Sequence, residues 1–187
     1  MNQFERKDEV WKSRHVVSRF LSGVRASIPL AAEQLDVMIQ ILSADENDVR
    51  HFLDFGCGDG VLASVILDKF PAATCVCLDF SEAMLESAKK KLSKYADQVT
   101  YLCIDYSDST YLDTLKKQAP FDAIVSGYSI HHQPDDIKQR LYQEIYSILS
   151  DAGFFINIEH VNSPTKWLES RWHDAFISAY AKQQSQI

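Results

Sequence analysis

The sequence predicts an α/β domain: a doubly wound sheet of about five parallel strands flanked by helices, with a helical segment ahead of it. Three observations carry the prediction. From residue 51 onward, short apolar runs alternate with stretches of helical period, the rhythm of a parallel sheet covered on both faces. A glycine cluster, Gly56-Cys57-Gly58-Asp59-Gly60, follows the first apolar run and opens a helix. Aspartates stand directly after the second and third runs, at the edge where open α/β sheets bind ligands.

The elements follow in order. Residues 1–43 read as helix, with one stripe at Val17, Phe20, Leu21 and Val24 and another at Leu35, Met38, Ile39 and Leu42. Ile28-Pro29 separates the two, because a residue before proline avoids the α region. Ala44 to Asp48 is a polar loop. His51–Phe55 is a buried strand closed by glycine. Val61–Phe70 carries apolar residues at helical spacing and stops at Pro71. Thr74–Leu78 is strand two. Ser81 caps a helix bearing Leu85, Ala88, Leu92 and Tyr95, with Glu82 in its first turn and lysines later. Val99–Ile104 is strand three, Tyr111–Lys117 a short helix, and Phe121–Ser126 strand four. Pro134–Leu149 is a helix with Ile137, Leu141, Ile145 and Ile148 on one face. Phe154–His160 is strand five, and Thr165–Gln183 the last helix.

Composition narrows the function. The 187 residues are 46% hydrophobic and 24% charged, a globular balance rather than a disordered one. The net charge is −7, so release of phosphate counterions gives no drive to bind duplex nucleic acid. Residues 1–25 nevertheless hold six basic and three acidic groups. That arm is either a solvated helix face or a surface that meets an anionic ligand. No segment approaches the ~18 apolar residues of a membrane span, and the N-terminus lacks the apolar core of a secretory signal. Cys57, Cys75, Cys77 and Cys103 show no metal-ligand spacing. Cys75 and Cys77 point to one face of a strand as small hydrophobes, and free thiols suit the cytoplasm, the expected compartment.

The chemistry gathers at the strand ends. Asp54 and the glycine turn follow strand one, Asp79-Phe80 strand two, and Asp105-Tyr106 strand three. Ser126-Gly127-Tyr128-Ser129-Ile130-His131-His132 follows strand four, and Glu159-His160 strand five. Any one acid reads equally well as a helix cap or turn residue; capping does not account for all of them at one sheet edge. A nicotinamide dinucleotide fingerprint wants a third glycine where Val61 stands, which argues against a pyrophosphate on the helix. A phosphate P-loop is excluded, since no Gly-Lys-Ser/Thr follows.

Asp54 to Gly60 resembles the acid-x-Gly-x-Gly-x-Gly motif of class I S-adenosylmethionine-dependent methyltransferases. Leu78-Asp79-Phe80-Ser81 with Met84-Leu85 is similar to their second motif and Ile104-Asp105-Tyr106 to their third. Phe121 to Ser126 is similar to their strand-four motif, and Asp151-Ala152-Gly153-Phe154-Phe155 to the turn into strand five. The likeness covers about residues 48–160 and is nearest the small-molecule type. It implies a Rossmann-like domain over residues 44–187, with residues 1–43 as a helical lid of the same domain. The implied cofactor is S-adenosylmethionine, leaving as S-adenosylhomocysteine. Asp54 would orient its amino group, and Gly56, Cys57 and Gly58 would run beneath its methionyl part. Asp79 would hold the ribose hydroxyls. Phe80 and Met84 would pack near the adenine, with Asp105, Tyr106 and Ser126 completing the site. No metal is implied. His131, His132 and Tyr128 are the candidates for a general base, needed only where the acceptor must lose a proton; Glu159 and His160 are others.

The implied partner is a small-molecule acceptor, an anionic one if Arg14, Arg19 and Arg25 face it. Val24 to Pro29 resembles, more loosely, enzymes that make or use carboxylated S-adenosylmethionine for tRNA wobble uridine. That leaves a carboxylated-cofactor or tRNA-modifying enzyme as one alternative and an inactive methyltransferase-like binding module as another. The family sheet has seven strands, and this sequence supplies five, so strands six and seven are expected to be missing from a short or truncated chain. Strand five then forms an edge. The last helix offers Trp167, Leu168, Trp172, Phe176 and Tyr180 to bury against the sheet or a second copy, as in a homodimer.

Overall fold

A computed structural model describes residues 9–19, 28, 30–44 and 48–184. Five parallel strands form one sheet in the order β3-β2-β1-β4-β5. They are β1 (His51–Phe55), β2 (Thr74–Asp79), β3 (Val99–Cys103), β4 (Phe121–Gly127) and β5 (Leu149–Ile158). The helices are α1 (Arg14–Arg19), α2 (Ala31–Leu42), α3 (Val61–Lys69), α4 (Glu82–Lys91), α5 (Tyr111–Lys116), α6 (Asp135–Ile148) and α7 (Lys166–Gln184). The expected order of strands and helices is the observed one.

Side-chain alternation along β1 divides the core in two. Phe52 faces a cluster with Met38 and Leu42 of α2 and Leu62 and Ile66 of α3. Leu53 and Phe55 face the other side, with Tyr111 and Leu115 of α5 and Leu141 and Ile145 of α6. Phe52, Leu53 and Phe55 are fully buried, as suits the central strand of a parallel sheet. Cys75 and Cys77 do share one face, with their sulfurs 3.6 Å apart.

Three features differ from the sequence reading. β5 begins at Leu149, five residues before Phe154, because an irregularity opposite Phe121 to Ala123 takes up Ser150 to Gly153 within the strand. After α4 the chain adds a tight helical turn, Ser93–Gln98, in which Gln98 donates to the carbonyls of Pro71 and Ala73. The last helix packs less than its aromatic content suggests. No described residue of α7 is buried, and Trp167 is 69% exposed while Trp172 and Phe176 are half-buried. Phe20, Leu21, Val24, Arg25, Pro29 and the loop residues 45–47 lie outside the described residues. Among those that are described, no strand follows β5, and no helix is long and apolar enough to cross a membrane.

Candidate functional site

The carboxyl ends of β1, β2 and β4 open onto one cleft. It encloses about 670 Å³ of empty space with its mouth included. The floor is the glycine turn. Gly56, Gly58 and Gly60 have φ of 70°, 53° and 74°, a left-handed run open to glycine at little cost. A Cβ on Gly56 would lie 2.0 Å from Ser129 Oγ, so the turn and the segment after β4 meet with no room for a side chain. Gly56 and Cys57 both donate N–H to the carbonyl of Leu78, fastening the turn to β2.

Asp79 ends β2 at the cleft wall and is 7% exposed. Its Oδ2 accepts from Gly58 N–H at 2.9 Å and its Oδ1 from Ser81 N–H at 2.8 Å, so the carboxylate is held in one pose. Asp54 is fully buried and accepts the Ala63 N–H of α3 at 3.1 Å. Tyr106 shares a 2.8 Å hydrogen bond with Ser129 Oγ and stacks on Phe55. Arg140 of α6 braces that loop by donating to the carbonyls of Tyr106 and Ser107. Burial pushes the Cys57 thiol well up, so it stays protonated at the cleft wall.

Of the residues singled out from the sequence, Asp54, Gly56, Cys57, Gly58, Asp79, Phe80, Met84, Tyr106, Tyr128 and His132 line this cleft. Asp105, Ser126 and His131 are not among its walls. The Asp105 carboxylate turns into its own loop and accepts Ser107 N–H, Ser126 is sealed inside β4, and His131 faces a neighbouring chamber. Trp11 of the N-terminal segment also walls the cleft. Its carbonyl accepts the Ser81 hydroxyl, and its indole N–H points at His132 Nε2 from 3.4 Å. Lys12 and Arg14 of the basic arm pair instead with Glu9 and Glu86.

The turn after β4 is under strain. Tyr128 has φ of 54°, which for a residue with a side chain costs on the order of 1–3 kcal/mol. Three contacts hold it: its N–H donates to Ile158 O, its hydroxyl to Gln34, and the next residue's N–H to Glu159. Burial raises the Tyr128 pKa, which favours the protonated hydroxyl that donates to Gln34. Glu159, a secondary candidate from the sequence, sits beside this turn. In the structure its carboxylate accepts the backbone N–H groups of Ser129 and His131 and, at 2.5 Å, the His131 ring Nδ1. Its position directly beyond the last strand was the available signal. Ser129, the partner of both Gly56 and Tyr106, carried none.

A family model described as "Methyltransferase domain" matches residues 52–153. A carboxy-S-adenosyl-L-methionine synthase of Nitratiruptor sp. is 26% identical over 169 residues, covering 90% of this chain and 68% of that protein. A demethylmenaquinone methyltransferase of Leptospira interrogans is 30% identical over 122 residues, covering 65% of this chain and 47% of that protein. Among solved structures, an S-adenosylmethionine-dependent methyltransferase from Clostridium acetobutylicum superposes with a TM-score of 0.61 at 22% identity. It covers 76% of this chain and 55% of its own, a likeness of fold.

Proposed function

The chain belongs to the methyltransferase domain family, and on that premise we propose that it is an S-adenosylmethionine-dependent methyltransferase acting on a small-molecule acceptor. The observation that carries the reading is the fixed Asp79 carboxylate beside three left-handed glycines. A Cβ added at Gly58 would meet nothing nearer than Met84 Sδ at 4.0 Å, so the backbone there is open to a ligand lying directly on it. In this reading Gly56, Cys57 and Gly58 pass beneath the methionyl part of the cofactor and Asp54 orients its amino group. Asp79 accepts from the ribose hydroxyls, and Phe80 and Met84 pack against the adenine.

Bound S-adenosylmethionine supplies a methyl group on a positively charged sulfur, an electrophile already activated. The chain's contribution is alignment and a dry site. Trp11, tied to Ser81 across the cleft, covers the cofactor side. A proton must be taken from the acceptor only if the accepting atom carries one to lose. Isothermal titration with S-adenosylhomocysteine tests the reading. Asp79→Ala is expected to weaken binding by about 1.5–3 kcal/mol through lost charge-assisted bonds. Unchanged affinity would reject the ribose contact.

One second reading has specific support, because the likeness to a carboxy-S-adenosyl-L-methionine synthase runs along 90% of this chain. A carboxylated cofactor needs a cation near its added carboxylate, and the described cationic side chains of the arm are paired at the surface. Mass spectrometry of the nucleoside product separates the two. Methyl transfer leaves S-adenosylhomocysteine, and the synthase reaction leaves a sulfonium in which a carboxyl group replaces one methyl hydrogen, heavier than the donor by the mass of CO2.

A further inference from the structure

A second chamber opens beside the cofactor cleft. Trp11, Tyr128, His131, His132, Trp172 and Phe176 bound most of it, and it encloses about 730 Å³ with its mouth included. Trp11, Tyr128 and His132 wall both spaces, so a molecule in the chamber lies against the cleft. The walls are mostly aromatic and imidazole side chains. Among the described residues that line it there is neither lysine nor arginine.

One wall carries a built acid–base pair. The Glu159 side chain is 8% exposed. Its Oε1 accepts the N–H groups of Ser129 and His131, and its Oε2 lies 2.5 Å from His131 Nδ1. A carboxylate only accepts, so Nδ1 must carry the proton and Nε2 is left as the basic nitrogen of the neutral ring. His132 is placed differently, since its Nε2 faces the Trp11 indole N–H. His131 therefore carries a defined basic nitrogen on a side chain that is one-third exposed and lines the chamber.

We propose, resting on the methyl-transfer reading, that this chamber takes the acceptor as a flat aromatic ring bearing a hydroxyl, with His131 as its base and Glu159 as the positioning residue. Ring walls suit a flat ring. A fixed tautomer is useful where the acceptor loses a proton during transfer, which a hydroxyl does and a neutral amine need not. A carboxylate acceptor is already ionised, has no proton to give a base, and would look for a lysine or arginine, neither of which is among the described walls. The hydroxyl proton passes to His131 Nε2. The oxygen's electron pair forms the new bond to the methyl carbon, whose bond to sulfur breaks with its pair returning to sulfur. The imidazolium then releases the proton to water.

The test uses the full chain with 1-naphthol as acceptor. Glu159→Gln keeps an oxygen for the two backbone N–H groups but turns an amide N–H toward Nδ1, which forces the proton onto Nε2. Nitrogen-15 spectra of His131 in the ligand-free protein are expected to show Nδ1 protonated in the wild type and Nε2 protonated in the variant. Turnover of 1-naphthol in E159Q is expected to fall ~100-fold or more, with KM and S-adenosylhomocysteine affinity unchanged. Trp172→Ala is expected to weaken 1-naphthol binding about tenfold without changing S-adenosylhomocysteine binding. The proposal is overturned if S-adenosylhomocysteine binds while 1-naphthol neither binds nor reacts, if E159Q turns over at the wild-type rate, or if wild-type His131 carries its proton on Nε2. Absence of S-adenosylhomocysteine binding strikes the methyl-transfer reading itself and shows separately from the tautomer spectra.

Discussion

Gly56 and Gly60 belong to the same turn and have nearly the same φ, yet they stand in unequal surroundings. A methyl group on Gly56 meets Ser129 Oγ at 2.0 Å and Cβ at 2.6 Å, short, tightly held atoms. On Gly60 it meets the tip of the longer Leu92 side chain at 2.9 Å and Ala88 Cβ at 3.3 Å, a milder overlap. Left-handed backbone costs either alanine roughly 1–2 kcal/mol, and the clash at Gly56 adds about 1–3 kcal/mol. Urea denaturation is expected to show Gly56→Ala as the more destabilised by that added margin. Calorimetry is expected to show that it alone loses S-adenosylhomocysteine binding. Equal losses in the two variants would mean that the Ser129 contact is slack. The need for glycine was legible in the spacing 56-58-60, because a turn that brings backbone to a ligand leaves little else. The identity of its neighbour was not, because Ser129 arrives after β4, next to β1 in the sheet but remote from it along the chain.

Ser81 shows how one residue can serve two elements. Its Oγ accepts Met84 N–H at 3.4 Å as the cap of α4 and donates at 2.7 Å to the Trp11 carbonyl. Ser81→Ala is expected to lower stability by about 1 kcal/mol in thermal unfolding and to quicken amide exchange through Glu9–Lys12. Unaltered exchange there would show that the N-terminal segment is held by other contacts. The cap was readable from Ser81 and Glu82 ahead of an apolar stripe; the tether was not, because Trp11 has no local pattern linking it to residue 81. Strand starts and stops were readable where burial is complete, as in β1. β5 starts ahead of its apolar run, since Ser150 to Gly153 break the run although the backbone is already paired beside β4. The weak packing of α7 was hidden for a similar reason: aromatic content indicates what a helix could bury, while Trp167 in fact stays in solvent.

Across the whole molecule, protection falls from the centre of the sheet outward. β1 has neighbours on both sides and buries four of its five residues, whereas β3 and β5 are edge strands without a fully buried residue. Native-state hydrogen exchange is expected to rank β1 slowest and β5 among the fastest strands, since edge hydrogen bonds open without global unfolding. Comparable protection in β5 and β1 would indicate that something covers that edge in solution. The sheet order itself follows from the position of the glycine turn, which belongs at the central strand of such a fold. The opposite ends of the strands do different work. There His51 stacks on Phe121 and bonds Thr74 and the Gln118 carbonyl, while Asp122 accepts the N–H groups of Arg50 and His51. That network joins β1, β2 and β4 at the end remote from the cleft. The chain thus anchors its strands at one pole and recognises ligands at the other, which leaves the ligand-side loops room to diversify while the architecture beneath them stays constant.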